Sequence, residues 1–362
     1  EGMRFPPIPP ISKNQIDKAG ELLVDFTYGI TPITAARFEK LMEASEVLSQ
    51  WRACHAYPIN TFQSTLRTKV RSYPEALVAQ RLKRLPTIVN KLHLYPRMKL
   101  TTMQDIGGVR AILKTLKDAL TLATVYRNTS RFEHNLEKEN DYITNPKPDG
   151  YRGIHFVYRY KNKMVPGYDG LLLELQIRTK LQHAWATAVE TMGTILGQAL
   201  KSKQGSKEWL KFFALTSSAF AHIEKTPLIP GYQHLSKKET FKAVTKDVEE
   251  LKVLNRMKNY TVAIEEINKK DKSYYYHLIV LNSMETPIKV QIKSYSRDNL
   301  RQATKEYAEF EERASKGEEI ESVLVSAGPL KLLRKAYPNY FLDVDVFIGV
   351  VNNIISESKA NL

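Results

Sequence analysis

Cysteine is almost absent from this chain of 362 residues, which contains only Cys54. A single cysteine excludes an intrachain disulfide and any zinc site built on several cysteines. Cys54 lies in a helical pattern of apolar residues, where the expected role is that of a small buried hydrophobe. Because a lone cysteine suits a reducing compartment, we expect a cytoplasmic location.

Long apolar runs are also missing from the sequence. No stretch reaches the roughly 18 consecutive apolar residues that a membrane-spanning helix requires. Residues 1–7 are rich in proline and lack the apolar centre of a secretory signal. We therefore expect neither a membrane span nor a signal peptide, and the length favours two domains over one.

The whole chain has a net charge of +15. Acidic residues are fewer than basic ones mainly in its first two thirds. Residues 1–230 contain 33 Lys and Arg against 20 Asp and Glu, whereas residues 231–362 contain 21 against 19. Within residues 66–100, nine basic side chains face one acid, Glu75. This surplus favours a long polyanion such as RNA, because each neutralised phosphate releases counterions. A solvated basic face that keeps the protein soluble is the alternative.

Three short segments between residues 105 and 179 combine glycine, charge and apolar strand patterns. The first, Asp-Ile-Gly-Gly-Val-Arg-Ala-Ile-Leu from Asp105, lets the backbone approach a polyanion between an acid and Arg110. The second, Asn-Pro-Lys-Pro-Asp-Gly-Tyr-Arg-Gly-Ile-His from residue 145, predicts a stiff turn that presents polar side chains. The third, Leu-Leu-Leu-Glu-Leu-Gln-Ile-Arg-Thr from residue 171, predicts a strand with Glu174, Gln176 and Arg178 on one face.

A row of charged side chains on a central strand is costly to bury unless a ligand binds it. Mg²⁺ together with nucleotide phosphates would be such a ligand, because Mg²⁺ takes oxygen ligands. We therefore predict that Asp105 and Glu174 hold Mg²⁺, and Glu174 is also a candidate base for an attacking hydroxyl. The alternatives are a turn-forming role for Asp105 and an ordinary ion pair for Glu174.

Taken in order, these motifs resemble the synthetase domain of the RelA/SpoT alarmone enzymes. The resemblance rests on Asp-Ile-x-Gly-x-Arg, Lys-Pro-x-Gly-Tyr-Arg-x-x-His, Glu-x-Gln-Ile-Arg-Thr and the Trp-Ala-x-x-x-Glu that begins at Trp185. Upstream, residues 81–92 look like the ATP-binding stretch of that family, so the resemblance covers roughly residues 60 to 200. It implies that the protein transfers the β,γ-pyrophosphate of ATP to a ribose 3′-hydroxyl.

The resemblance also implies which residues bind ATP. Arg81 and Arg110 would hold the adenine, since a guanidinium plane stacks on a base. Lys83 and Lys91 would meet the phosphates, with ordinary basic positions on a helix as the alternative.

The acceptor residues are implied in the same way. Tyr151 would stack on the acceptor base and is grouped with Asp105 and Glu174 as catalytic, while a packed core tyrosine is the alternative. For His183 a structural histidine is equally open. The remaining acceptor-binding candidates are Lys147, Arg152, His155, Gln176, Arg178 and His183. Gly153 and Asp149 depart from the serine and asparagine common in the family, which leaves the acceptor less defined than ATP.

The C-terminal part resembles a second kind of module. Residues 330–336 form a basic helical pattern that ends in Tyr337-Pro-Asn-Tyr340, and the region of about residues 270–355 resembles the C-terminal module of CapRel-type fused toxin–antitoxin synthetases. That resemblance implies autoinhibition by Tyr337 and Tyr340, tRNA as the acceptor, and a phage protein such as a capsid subunit as the trigger. A helix-ending turn with two packed tyrosines is the alternative.

We expect an α+β fold in which a mixed-sheet, nucleotidyltransferase-like synthetase domain with flanking helices precedes a small ββαβα module. The predicted domains are residues 1–230, a helical linker at 231–270, and a regulatory module at 271–362. The chain shows no His-Asp pair of the kind used by the hydrolases of the family, so we expect synthesis without a built-in reverse reaction. Three functions stay open: a tRNA pyrophosphokinase, a small synthetase making (p)ppGpp from GDP or GTP, and a silent RNA- or protein-binding relative.

Overall fold

The computed structural model describes residues 5–128, 132–199, 206–282, 285, 288–336 and 340–361. The chain divides into two compact units, of which unit 1 comprises Glu1–Tyr142 and Gly153–Lys180. Unit 2 comprises Ile143–Arg152 and Leu181–Leu362. The predicted acceptor loop at residues 145–155 is therefore divided, with residues 145–152 in unit 2 and residues 153–155 in unit 1. None of the helices in the described ranges has the length and apolar character required to cross a membrane.

Unit 1 opens with three helices, as the apolar spacing of residues 13–71 predicts. They are α1 (Lys13–Tyr28), α2 (Ala35–Cys54) and α3 (Ala56–Val70). Ser12 caps α1 through reciprocal hydrogen bonds with Gln15, and Thr34 caps α2 by accepting from the backbone of Arg37. Cys54 is fully buried at the end of α2, as predicted.

A five-stranded mixed sheet forms the centre of unit 1. Its strands are β1 (Leu77–Leu82), β2 (Gly107–Leu113), β3 (Asn135–Asp141), β4 (Ile154–Arg159) and β5 (Leu172–Thr179), and its other helices are α4 (Leu85–Leu94) and α5 (Leu116–Arg127). The strand order is β1-β2-β5-β4-β3, and β2 and β5 run parallel while the other neighbours are antiparallel. The predicted α+β class with a mixed sheet is confirmed.

The two faces of this sheet differ in chemistry because alternate residues point to opposite sides. On one face β4 carries Phe156 and Tyr158, and the ring of Tyr158 lies 5.5 Å from that of Phe62 on α3. The other face carries polar residues brought together by strand register: Arg81 pairs with Gly108, Gly108 with Glu174, Arg110 with Gln176, and Gln176 with His155. Residues far apart in sequence thus share one face.

Both edge strands of the sheet differ from the sequence prediction. β1 was not predicted at all, because the first strand was expected at residues 109–113. β3 begins at Asn135, whereas the prediction placed a strand at 132–136. Its sequence Asn-Leu-Glu-Lys-Glu-Asn-Asp is polar because β3 pairs only with β4, and an edge strand can carry charge along its open side.

Unit 2 combines long helices with a second, antiparallel sheet. Its helices are α6 (Lys180–Ala199, of which Lys180 belongs to unit 1), α7 (Ser206–Glu224), α8 (Lys237–Leu251), α9 (Val253–Asn268), α10 (Leu300–Ser315), α11 (Ala327–Ala336) and α12 (Tyr340–Ala360), and its strands are β6 (Tyr274–Asn282), β7 (Lys289–Ser296) and β8 (Ile320–Ser326). The sheet order is β7-β6-β8. The strands and helix from β6 to β8 follow the predicted ββαβ order, and α12 contains the predicted last helix at residues 344–355, while α11 lies between them.

The core of unit 2 joins helices from both sides of the predicted boundary at residue 230. Phe212 and Phe220 on α7 pack with Phe347 on α12 at ring distances of 6.4 and 5.6 Å. The predicted helix 237–255 instead breaks at Lys252, which takes a left-handed conformation with φ of 50°, and α9 then continues to Asn268. Both helices bury side chains in this core. The division into two compact units therefore follows other bounds than the predicted domains. The assignment of a synthetase domain, a linker and a regulatory module stays a prediction.

Candidate active site

Two lysines hold the carboxylate of Asp105 at the start of β2. The Nζ of Lys83 lies 2.8 Å from Oδ2, and the Nζ of Lys91 lies 2.8 Å from Oδ1. Lys83 directly follows β1, and its amide donates to the carbonyl of Ile106, while Lys91 comes from α4. The stretch at residues 81–92 and the segment that begins at Asp105 thus meet at one carboxylate.

The charges around Asp105 determine its protonation. Burial alone raises the pKa of this carboxyl, but the two lysines outweigh burial and lower it to about 2. Burial also lowers the pKa of Lys83, against the attraction of Asp105, because its side chain is only 7% exposed. The group is ionised at neutral pH and is electrostatically matched to two cations.

The two glycines that follow Asp105 and Ile106 are required by close packing, first of all at Gly108. A Cβ at this position would lie 2.6 Å from the backbone oxygen of Glu174 on the neighbouring strand. The strand pairing that brings β2 beside Glu174 therefore requires glycine here. At Gly107 an added Cβ would meet Ile59 at 2.9 Å, so this position also packs closely on α3.

A ladder of polar side chains crosses three strands next to Asp105. The Nε of Arg110 donates to Oε1 of Gln176 at 3.1 Å, and an amino group of Arg178 donates to the same oxygen at 3.2 Å. The amide nitrogen of Gln176 donates to Oε1 of Glu174 at 2.5 Å. The Nδ1 of His155 lies 3.6 Å from Oε2 of Glu174. The predicted charged row is therefore present as a connected network.

Glu174 is the second carboxylate of the site. Burial raises its pKa, but His155 and Gln176 stabilise the ionised form and lower the pKa to about 2, while the charge of Asp105 acts in the opposite direction. One pocket is lined by Arg81, Asp105, Gly107, Gly108, Val109, Arg110, Glu174 and Gln176. The two predicted metal ligands and the two predicted adenine-binding arginines thus line the same pocket.

The pocket suits a metal ion that is held jointly by the protein and a phosphate ligand better than one held by protein side chains alone. In the part of the chain that the structure describes, no group of three or more His, Cys, Asp or Glu residues could hold a metal ion. Mg²⁺ usually takes one or two carboxylates and completes its shell with water and phosphate oxygens. Asp105 and Glu174 supply that number of carboxylates.

Residues 145–152 of the predicted acceptor loop lie in unit 2. The Nζ of Lys147 lies 5.4 Å from the ring centre of Tyr151, a cation–π contact, and the amide of Lys147 donates to the carbonyl of Tyr151. Tyr151 is partly buried and packs against the core of unit 2. Gly150 has φ of 99°, and a Cβ there would lie 2.8 Å from Trp185.

Arg152 lies deeper than its predicted role as an acceptor contact requires. Its side chain is 2% exposed, and it pairs with Glu224 on α7 at 3.0 Å. A second amino group donates to the hydroxyl of Thr226 at 2.5 Å. The guanidinium is therefore committed to two partners within unit 2.

The remaining predicted residues also have partners within unit 2. The Nε2 of His183 lies 3.2 Å from a carboxylate oxygen of Asp343 on α12. Tyr340 is 2% exposed, and its hydroxyl hydrogen-bonds to Glu265 and Asn268 on α9. Tyr340 is thus a packed tyrosine here, as in the alternative considered from sequence, whereas Tyr337 lies outside the described residues.

Two contributors to these sites escaped the sequence analysis. Arg52 on α2 donates to the carbonyl of Lys83 at 2.7 Å and so fixes the backbone beside Asp105. Glu224 pairs with Arg152. Both residues lie in ordinary helical patterns, so nothing local in the sequence distinguishes them from surface charges.

Comparison with known proteins adds to this geometry. Residues 80–192 match the family model described as "Region found in RelA / SpoT proteins". The GTP pyrophosphokinase YjbM of Bacillus subtilis is 32% identical over 116 residues, which are 32% of this chain and 54% of that protein. A GTP pyrophosphokinase of Haemophilus influenzae is 30% identical over 146 residues, or 40% of this chain and 18% of that protein.

Among solved structures, the small alarmone synthetase 1 of Bacillus subtilis bound to its product pppGpp is 23% identical, with a TM-score of 0.41. The aligned part covers 47% of this chain and 89% of that one. The chain spans about half of the first curated relative and less than a fifth of the second. These findings show that residues 80–192 contain the region found in RelA/SpoT proteins.

Proposed function

We propose that the protein is a pyrophosphokinase that transfers the β,γ-pyrophosphate of ATP to a ribose 3′-hydroxyl. The pocket that Arg81, Arg110, Asp105 and Glu174 line together carries this proposal. Arginines provide planar cations for a base, and Asp105 and Glu174 would hold Mg²⁺, which would supply positive charge for the phosphates. Phosphoryl-group transfer depends mainly on such positioning and on charge stabilisation.

Lys83 and Lys91 could exchange Asp105 for the phosphates of ATP as their anionic partner. Their ammonium groups neutralise Asp105 in this structure. Phosphates of ATP are stronger acceptors for these cations, and their arrival would free Asp105 oxygens. Asp105 and Glu174 would then hold Mg²⁺, which supplies neutralisation of the developing phosphate charge.

The role of Glu174 follows from its contacts. Gln176 donates to one carboxylate oxygen, and the Nδ1 of His155 lies 3.6 Å from the other, so both oxygens face groups that favour the ionised form. We therefore favour Glu174 as a metal-holding and charge-stabilising group over the alternative role of base. His155 and Gln176, which stabilise its ionised form, would keep it available as an anion.

Two acceptors have support. The basic surplus in residues 66–100 favours the 3′ end of tRNA, because one free nucleotide needs only a few of those nine cations. The curated relatives are named GTP pyrophosphokinases, which favours GDP or GTP and a (p)ppGpp product. In either case Tyr151 is the proposed stacking residue for the acceptor base.

Incubation of the full chain with ATP labelled at its γ-phosphate and with tRNA, GDP or GTP separates these cases. Label in tRNA identifies a tRNA pyrophosphokinase, and label only in guanosine nucleotides removes the tRNA proposal. Glu174→Gln should abolish labelling while preserving the fold. If no acceptor is labelled and calorimetry detects no ATP binding, the pyrophosphokinase proposal fails and a silent binding relative is left.

We further propose that the C-terminal region restrains the reaction in a cytoplasmic enzyme and that a phage protein relieves the restraint. The contact between Asp343 on α12 and His183 on α6 supports the restraint, because His183 is a predicted acceptor residue. The phage trigger rests on the resemblance to fused toxin–antitoxin synthetases. A ligand that favours the released form would shift the population of active enzyme.

A further inference from the structure

Arg152 connects the loop that carries Tyr151 to the C-terminal end of α7. One amino group of Arg152 lies 3.0 Å from Oε1 of Glu224, the last residue of α7. The other amino group donates to the hydroxyl of Thr226 at 2.5 Å. The side chains of Arg152 and Glu224 are 2% and 9% exposed. An ion pair this deeply buried needs both partners, because either one left alone would be an uncompensated buried charge.

The end of α7 is shaped to deliver the second partner. Lys225 adopts a left-handed conformation with φ of 55°. The amide of Thr226 then donates to the carbonyl of Ala221 at 3.0 Å, and the amide of Lys225 to that of His222 at 3.3 Å. This reversal closes the helix and turns Thr226 back beside the Glu224 carboxylate.

A second contact fixes the other side of Tyr151. The hydroxyl of Ser217, about two turns before the end of α7, donates to the carbonyl of Gly150 at 2.5 Å. Gly150 is pressed so closely on Trp185 and Ser217 that a Cβ would lie 2.8 and 3.0 Å from them. The residues on both sides of Tyr151 in the chain are therefore attached to α6 and α7.

We infer that Glu224 and Thr226 are positioning residues for the acceptor. Acting through Arg152, they hold the backbone that presents the Tyr151 ring. The inference rests on the proposed function only for the role of Tyr151. It replaces the predicted role of Arg152 as an acceptor contact, because its guanidinium is directed at α7 rather than at solvent.

The chemistry of the pair explains why arginine suits this place. Burial lowers the pKa of Arg152, and Glu224 opposes that effect. Within the described residues, the Nε of Arg152 has no hydrogen-bond partner, so its attachment depends on the two amino groups. Lysine offers one compact cation and would not reach Glu224 and Thr226 with the same fixed fork.

The test uses the full chain with Glu224→Gln and Thr226→Val. The first readout is amide hydrogen exchange at Lys147, Gly150 and Tyr151, whose amides all donate hydrogen bonds within the loop. We expect exchange there to accelerate by about tenfold or more in Glu224→Gln and by less in Thr226→Val. The second readout is steady-state transfer, in which the KM for the acceptor should rise by about tenfold and the KM for ATP should change less than about twofold.

Glu321→Gln is the matched control, since Glu321 also pairs with an arginine of unit 2, Arg256, at 2.7 Å. It should lower global stability without accelerating exchange in the loop. Equal acceleration of loop exchange in Glu224→Gln and Glu321→Gln, or unchanged exchange in Glu224→Gln, would overturn the inference. The exchange readout does not depend on enzymatic activity, so a chain that labels no acceptor contradicts the proposed function but leaves this test intact.

Discussion

The Nζ of Lys83 lies 2.8 Å from Oδ2 of Asp105, so a largely buried lysine neutralises the acid proposed to hold Mg²⁺. The pair contributes to stability as well as to the site. It keeps the pKa of Asp105 at about 2, below the ordinary value of 3.8. A depressed carboxyl pKa stabilises the folded state above pH 3.8, and this contribution is lost as the pH falls towards 2.

Asp105→Asn should therefore lower the free energy of unfolding at pH 7 by about 2 kcal/mol, and by roughly half of that at pH 3. Urea unfolding at both pH values measures the difference. Asp25→Asn is the control, because Asp25 pairs with Arg37 but is 55% exposed, so its loss should cost under about 1 kcal/mol. A penalty for Asp105→Asn that does not change with pH would contradict the assigned role of the lysines.

Gly150 and Gly231 both have positive φ angles, 99° and 93°, but differ in their surroundings. An added Cβ at Gly150 would meet Trp185, whereas nothing lies within 4 Å of one at Gly231. We expect Gly231→Ala to cost about 1 kcal/mol from backbone strain alone. Gly150→Ala should cost about 1–3 kcal/mol more from overpacking. Thermal unfolding of the two variants compares them, and equal losses would show that the contact with Trp185 is unimportant.

The central strands of the fold were predictable, and the edges were not. β2 and β5 are apolar on one face and glycine-rich or charged on the other, which is the pattern of a central strand that lines a site. β1 and β3 are edge strands with mixed polarity, so their pattern is weak. The break at Lys252 was missed because a left-handed lysine has no signature in the sequence.

In the site, the types of residues could be predicted from the sequence, but their long-range partners could not. The motifs singled out Asp105, Glu174 and Gln176 because polar side chains within or beside an otherwise apolar strand are chemically distinctive, and the structure brings these three residues to one site. The pairing of Arg152 with Glu224 joins residues 72 positions apart. Such long-range pairs are set by packing, so a single sequence makes Arg152 look like a solvent-facing ligand for phosphate.

Tyr151 provides a direct test of acceptor stacking. Loss of the ring in Tyr151→Ala should raise the KM for the acceptor by about ten- to a hundredfold, since stacking on a base is worth about 1–3 kcal/mol. Tyr151→Phe keeps the ring and should remain within about threefold of the unmodified chain. ATP affinity, measured by calorimetry, should stay unchanged in both variants. A large defect in Tyr151→Phe would assign the function to the hydroxyl instead of the ring.

Restraint by the C-terminal region is better tested by a point substitution than by truncation. Removal of the chain after Pro230 would expose Phe212 and Phe220 on α7, because both pack against Phe347 of α12. A truncated protein could thus gain or lose activity through misfolding alone. Asp343 offers a smaller change, since its carboxylate contacts His183 and Thr187 on α6.

Asp343→Asn should increase pyrophosphate transfer by the full chain roughly two- to fivefold, the effect of weakening a partly exposed polar contact by about 0.5–1 kcal/mol. The increase arises because the contact that holds His183 against α12 is weakened. Asp345→Asn removes the same charge from an exposed position on the same helix and should leave the rate unchanged. Initial rates with labelled ATP compare the two variants, and thermal unfolding checks that their stabilities are equal. If both substitutions raise the rate equally, net charge and not the contact with His183 controls the enzyme, and if neither does, Asp343 does not restrain it.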